Sequence, residues 1–343
     1  MKIDTRLSPA APVDTRQAAV AAQGAGYAGV WTSETKHDPF LSLGLAAVAT
    51  DTIELGTAIV VAFARSPMSL AAQANDLQLL SRGRLLLGLG SQIRPHITRR
   101  FSMPWSHPAP RMREYILALR AIWSCWHDGT KLDFRGDFYT HTLMTPFFNP
   151  GPNPHGAPRV LLAGVGDLMT AVAGEVADGF LCHGFTTERY LREVTLPALA
   201  RGRPGGDLAG YEISGSPFVA TGRTEPELED AIRGVREQIA FYGSTPAYRG
   251  VLELHGWGEL SEELHRLSLQ GRWKDMGTVI DDDVLRAFAV VAEPGAVADE
   301  LLRRYGDLMT RMTLYTPYDL DPGVTEQIVG DLRAAAGQPR RPA

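Results

Sequence analysis

Nine histidines are the side chains in this sequence best placed to move protons near neutral pH: His37, His96, His107, His127, His141, His155, His183, His255 and His265. No two of them stand at a zinc-ligand spacing with a carboxylate or cysteine between them, so no metal site is expected. A G-x-S-x-G nucleophile elbow and a phosphate loop ending G-K-[ST] are both absent, which removes acyl transfer and nucleoside triphosphate hydrolysis. Two glycine pairs remain, Gly88-Leu89-Gly90-Ser91 and Gly164-Val165-Gly166-Asp167. The second runs into a helical pattern, so its backbone N–H groups and the helix N-terminus could hold a phosphate. It is not a dinucleotide fingerprint, because Met169 stands where a third glycine is required. The plainer alternative is that both pairs only let the chain bend at strand-to-helix turns.

The rest of the composition narrows the partners. The 343 residues carry 34 Lys and Arg against 39 Asp and Glu, a net charge of −5, with no Lys/Arg run longer than a pair such as Arg340-Arg341. Neither nucleic acid nor a membrane surface is an expected partner; a small-molecule substrate is. The first residues, MKIDTRLSPAAPVDT, lack the apolar core of a signal peptide, and the apolar runs fall short of the ~18 residues a spanning helix needs. With only Cys125 and Cys182, and no C-x-x-C pair, a reducing cytoplasm is the expected location.

The elements that must position these residues alternate. Strand-length apolar runs lie at Lys2–Leu7, Gly29–Thr32, Ile53–Val61, Arg84–Gly90, Arg159–Ala163, Gly179–Cys182, Ser214–Thr221 and Met309–Thr316. Leu85-Leu86-Leu87 and Val160-Leu161-Leu162 are apolar without alternation, as strands covered on both faces by helices should be. Between them, Ser66-Pro67 caps a helix that ends at Gly83, and further helical patterns cover the region of Ala18 and Ala22, 111–126, 225–241 and 324–336. Three stretches break the alternation: 92–108; 131–158, with a short hairpin at 133–139; and 244–290, with helical patterns of its own. Eight parallel strands with helical crossovers predict an α/β fold, a (β/α)8 TIM barrel with insertions after strands 4 and 7. It should occupy residues 1–336 as a single domain, followed by a flexible tail at 337–343.

The third strand, Leu55-Gly56-Thr57-Ala58-Ile59-Val60-Val61-Ala62-Phe63-Ala64-Arg65-Ser66-Pro67, is more specific. Taken with WTSETKHDPF after strand two, LSRGRLLLGLGSQ around strand four, PRVLLAGVG, VAGEVADGFL and TRMTLYTP, it resembles the luciferase-like flavin and deazaflavin oxidoreductases over roughly residues 1–320. The loops FSMPWSHP and HTLMTPFFNPGPNP look most like the actinobacterial branch that uses coenzyme F420.

The resemblance implies a non-prolyl cis peptide between Ala58 and Ile59 backing the cofactor ring. It implies Gly90, Ser91 and Gln92 against that ring, and Gly164, Val165 and Gly166 on the phosphate. Glu34 falls where some F420 relatives keep an acidic residue beside the cofactor. Thr35 and Ile93 stand where a sugar-phosphate branch has a catalytic His and Glu, so that branch's acid–base chemistry is not implied. His37, after strand two, and His183, just past strand six on the face where barrel active sites are built, are the titratable candidates. His37 or Glu34 would exchange the proton and His183 would meet substrate.

The reading is an F420-dependent oxidoreductase moving a hydride between deazaflavin C5 and an organic substrate that enters beneath the 92–108 and 131–158 insertions. Phe101, Met103, Trp105, Met144, Phe147 and Phe148 there either favour a hydrophobic substrate or anchor a lid. Arg65, Arg94 and Arg99 either pair with the anionic tail of F420 or are solvated. The alternatives are a monooxygenase using reduced FMN and a flavin-binding protein without turnover. The aromatic insertions could also form a homodimer contact.

Overall fold

The computed structural model describes residues 1–7 and 12–336; the expected tail, 337–343, lies outside the described residues. The eight barrel strands are β1 (Lys2–Arg6), β2 (Gly29–Thr32), β3 (Glu54–Thr57, resumed at Val60–Val61), β4 (Leu85–Gly90), β5 (Arg159–Ala163), β6 (Gly179–Leu181), β7 (Glu212–Gly215) and β8 (Arg311–Thr313). Each pairs in parallel with its neighbours, and β8 closes the ring on β1. The continuously apolar runs are enclosed: every residue of β4 is buried, and so are Val160, Leu161 and Leu162 of β5.

Helices wrap this ring: α1 (Thr15–Gly24), α2 (Pro39–Ala49), α3 (Pro67–Leu80), α4 (Pro108–Asp128), α5 (Asp167–Val176), α6 (Leu196–Gly202), α7 (Glu225–Gly243), α8 (Pro294–Tyr305) and α9 (Pro322–Ala336). Several of their starts are capped, at Ser66 as the sequence predicts and elsewhere as well. Ser66 Oγ accepts from Ser69 N–H with Pro67 in the first turn, and Asp38 accepts from Phe40 N–H ahead of α2. Thr224 and Glu227 form a capping box on α7. In α1 it is Ala19 and Ala22 that face the core, while Ala18 is exposed.

The seventh strand departs from its predicted bounds. Its run divides at Gly215-Ser216-Pro217, where proline offers no N–H to the ladder. The second half, Phe218–Ala220, pairs instead with Ala289–Val291 in a separate two-stranded sheet. Around it the 244–290 insertion and α7 build a satellite core centred on Phe185, Phe218, Leu264 and Phe288. The 131–158 insertion stays on the flank. Its hairpin, Phe134–Arg135 with Thr140–His141, is tied to α4 by Glu114, whose carboxylate accepts the N–H groups of Asp137, Phe138 and Tyr139. Asn153 donates to Asn75 on α3.

The floor of the barrel is charged. Arg311 is fully buried and donates twice to Asp4, at 2.6 and 2.9 Å, and also to Glu212 at 2.6 Å and Glu54 at 3.1 Å. Its guanidinium lies 5.0 Å from the centre of the Trp31 ring, whose N–H donates to the same Asp4. Arg159 bridges Glu54 and Glu212 from β5. Two glycines admit this cluster. A Cβ on Gly29 would stand 2.6 Å from Arg311 Nη2, and one on Gly56 would run into the Trp31 ring. No helix among the described residues is long and apolar enough to cross a membrane.

Burial pushes the Glu212 carboxyl up, and Arg311, Arg159 and Lys2 together pull it down by more, so it sits below its ordinary value. A carboxylate held down in the fold adds stability above its unfolded pKa and surrenders it as the pH falls through the folded one. Arg311→Met should therefore cost about 3–5 kcal/mol at neutral pH, because Asp4 and Glu212 are left buried without a cation. Urea unfolding at pH 7 and at pH 4 measures it; the gap between wild type and variant should narrow in acid, where protonation relieves the variant.

Candidate active site

The barrel opens at the C-terminal ends of its strands into a cleft of about 1110 Å³. One wall is the end of β3, where the Ala58–Ile59 peptide is cis. The chain around it is pinned from β2: Ala58 N–H donates to Thr32 O at 2.8 Å, and Glu34 N–H donates to Ile59 O at 3.1 Å. The Glu34 carboxylate accepts Val61 N–H at 2.8 Å and pairs with Arg65 at 2.5 Å, and Arg65 reaches Asp38 at 3.0 Å. Glu34 borders the cleft, yet its Oε2 is committed to holding this wall.

The glycines of β4 are used for close approach rather than for bending. Thr57 Oγ1 donates to Gly88 O and accepts Gly88 N–H, both at 2.8 Å, and any side chain at Gly88 would overlap Thr57 O. A Cβ on Gly90 would lie 2.9 Å from the Ile59 side chain. Ser91 and Gln92 follow on the same rim of the cleft. Beyond the neighbouring strand β5, Gly166 caps α5 with φ 78° and ψ 162°, a combination open essentially to glycine alone. A Cβ on Gly164 would meet Met169 and Phe180 at 3.1 Å. Both glycines and Val165 line the cleft at the start of α5, so unpaired N–H groups of its first turn border the cavity.

The third side of the cleft is aromatic and polar. His183, beyond β6, is stacked on Tyr248 and edge-on to Tyr242. Phe185 N–H donates to its Nδ1 at 3.0 Å, and its Nε2 lies 3.2 Å from Tyr248 Oη. Burial first, and Arg6 second, bring the imidazole down to about 4, so it is neutral at physiological pH. Tyr242 and Tyr315 share a 2.9 Å hydrogen bond, and Arg6 lies 4.7 Å over the Tyr315 ring. Burial also raises the Tyr242 and Tyr248 hydroxyls, and it pushes the Cys182 thiol, at the back of the cleft, up to about 12, where it is no nucleophile.

Of the residues singled out in the sequence, Glu34, Ala58, Ile59, Gly90, Ser91, Gln92, Gly164, Val165, Gly166 and His183 border one cavity. His37 does not. It is exposed ahead of α2 and absent from the lining, so it is poorly placed to pass a proton there. Arg65 is likewise spent on Glu34 and Asp38 and is not available to an anionic tail, whereas Arg94 reaches the rim and Arg99 does not.

The cover over the cleft comes from Trp105 and His107 in the first insertion and from Thr245, Ala247 and Tyr248 in the third. Nothing from 131–158 lines it, contrary to the expected entry beneath both early insertions. Phe101, Met103, Trp105 and Met144 pack against the core as anchors, while Phe147 and Phe148 stand exposed. Among the described residues no cluster suits a metal ion. Sequence reading missed Arg6, Tyr242, Tyr248 and Tyr315. Tyr315 lies inside the TRMTLYTP segment, where nothing local distinguishes it.

Glu34→Ala should unfold at a lower denaturant concentration, by about 1.5–3 kcal/mol, since Val61 N–H and Arg65 lose a charged acceptor.

Comparison with known proteins agrees with this architecture. A protein of Mycobacterium tuberculosis described as uncharacterised is 57% identical over 297 residues, covering 86% of this chain and 87% of its own. The 5,10-methylenetetrahydromethanopterin reductase of Archaeoglobus fulgidus is 23% identical over 90% of this chain and 91% of its own. Among solved structures, the coenzyme F420 dependent tetrahydromethanopterin reductase of Methanopyrus kandleri superposes with a TM-score of 0.77 at 19% identity, covering 96% of this chain and 97% of that one. Residues 2–311 match the luciferase-like monooxygenase family across the barrel, and the chain belongs to that family of enzymes.

Proposed function

We propose that the chain is an oxidoreductase that binds coenzyme F420 and exchanges a hydride between the deazaflavin C5 and a small organic substrate. One observation carries the placement: the Ile59 wall and the Gly164–Gly166 loop face a single cleft of about 1110 Å³, at the upper end of ligand-pocket sizes and roomy enough for a cofactor and a substrate together. The residues fit such a group chemically. Ile59 and Gly90 give a flat apolar surface for a ring system, and the glycine loop at the start of α5 leaves N–H donors and space for a phosphate.

When bound, the cofactor supplies the electron pair, and the chain supplies position and electrostatics. Ala58, Ile59, Gly90, Ser91 and Gln92 would hold the ring, with Glu34 and Arg65 stiffening the wall behind it. Gly164, Val165 and Gly166 would hold the phosphate. Arg94 is the rim cation suited to the carboxylate tail, leaving the Arg6 and His183 side of the cleft for substrate. The choice of F420 is supported by the reductase of A. fulgidus and by an F420-dependent glucose-6-phosphate dehydrogenase of Rhodococcus jostii, 28% identical over 206 residues. An FMN-bound neighbour, the oxygenating constituent of 3,6-diketocamphane monooxygenase, has a TM-score of 0.67 at 16% identity and is the reason to test both cofactors.

Direct spectroscopic titration decides between them. F420 should bind more tightly than FMN and lose affinity as salt is raised, while FMN changes less, because the tail carboxylates meet Arg94. Gly164→Val should weaken both, since the added side chain forces the phosphate loop away from Met169 and Phe180. Tighter binding of FMN would favour the monooxygenase, and F420 binding with no substrate-dependent bleaching would favour a binding protein without turnover.

A further inference from the structure

The part of the cleft next to the glycine loop, beyond β6, β7 and β8, carries chemistry that holding a cofactor does not use. Phe185 N–H occupies the lone pair of His183 Nδ1, so the neutral imidazole keeps its hydrogen on Nε2. That hydrogen points to Tyr248 Oη, 3.2 Å away, and the phenolic hydrogen of Tyr248 is left to donate elsewhere. Of Tyr242 and Tyr315, one hydroxyl donates to the other, and the accepting hydroxyl keeps its own hydrogen. Arg6 lies over the Tyr315 ring, borders the cavity, and forms no ion pair among the described residues. One fixed positive charge and one oriented O–H donor therefore belong to a contiguous aromatic cluster, Arg6 on Tyr315, Tyr315 on Tyr242, and Tyr242 against His183 and Tyr248.

We propose that this cluster is an oxyanion subsite and that the substrate is an organic carboxylate, its oxygens received by Arg6 and the Tyr248 hydroxyl and its apolar body directed toward Ile59. The inference rests on the reading that the cofactor takes the Ile59 and glycine-loop side. A charge-assisted pair with the cavity-facing guanidinium of Arg6, together with the Tyr248 donor, favours an anion over its neutral isostere even though Arg6 is exposed, because hydrogen bonds to an ionised acceptor are about twice as strong as neutral ones. His183 acts here as a positioning residue. Protonated, it would add a second charge; neutral, it fixes the direction of the Tyr248 donor.

The test uses benzoate and its neutral isostere benzamide, titrated calorimetrically into the cofactor-free protein. Benzoate should bind and benzamide should bind about tenfold more weakly or worse. Arg6→Met should erase that preference, Arg6→Lys should restore part of it, and Tyr248→Phe should weaken benzoate by roughly fivefold or more. Arg6 is exposed, so the melting temperature of Arg6→Met should match wild type and its F420 affinity should be unchanged. Gly164→Val should leave benzoate binding intact. Absence of benzoate binding, an undiminished preference in Arg6→Met, or loss of benzoate in Gly164→Val, which would seat the probe on the phosphate loop, each overturns the subsite. Failure of F420 to bind wild type, with the benzoate results as expected, would overturn the cofactor reading alone.

Discussion

Arg311 is a guanidinium with no exposure to water, and the barrel is organised around satisfying it. An unpaired cation there would cost several kcal/mol, a large share of a domain's net stability, and Asp4 from β1, Glu54 from β3 and Glu212 from β7 all converge on it. That convergence fixes how four strands of the ring meet, including β8, which carries the arginine. Gly29 and Gly56 follow as requirements, because side chains there would occupy the space of Arg311 and Trp31. With the floor filled by this network, the open end of the barrel is at the other ends of the strands, where the loops gather.

The mouth is set by a second group of close approaches. Thr57 against Gly88, Ile59 against Gly90, and Val61 and Arg65 on Glu34 fix the cis Ala58–Ile59 segment from both neighbouring strands. The result is an apolar wall whose Ala58 N–H, Ile59 C=O and Val61 N–H are already paired, beside a loop at the start of α5 whose first-turn N–H groups have no partner within the helix. A ligand with a flat ring at one end and an anionic group at the other suits that asymmetry. The aromatic cluster around His183 supplies the remaining side from β6, α7 and the third insertion.

Much of this was legible because its signals are local. Continuous apolar runs such as Leu85–Leu87 marked strands covered on both faces, and Ser66-Pro67 marked a helix start. His183, Glu34 and the two glycine loops could be placed at the mouth because they immediately follow barrel strands. His37 follows one as well, but Asp38-Pro39 begins α2 directly after it, and it stands exposed outside the cleft. Long-range pairing was the hidden part. Arg65 read as a free cation because the carboxylates that claim it lie 31 and 27 residues away. Tyr242 and Tyr248 reach the cleft only through the packing of α7 and the third insertion, for which no spacing rule exists, and the break at Pro217 divided a strand that its apolar residues alone would continue.

A crystal structure of the chain grown with F420 tests the central claim most directly. The account predicts the deazaflavin ring against Ile59 and Gly90, its phosphate on the N–H groups at Gly164–Gly166, and open space between the ring and Arg6, Tyr248 and His183. A cofactor bound with its phosphate at Arg6, or a ring seated away from Ile59, would contradict it.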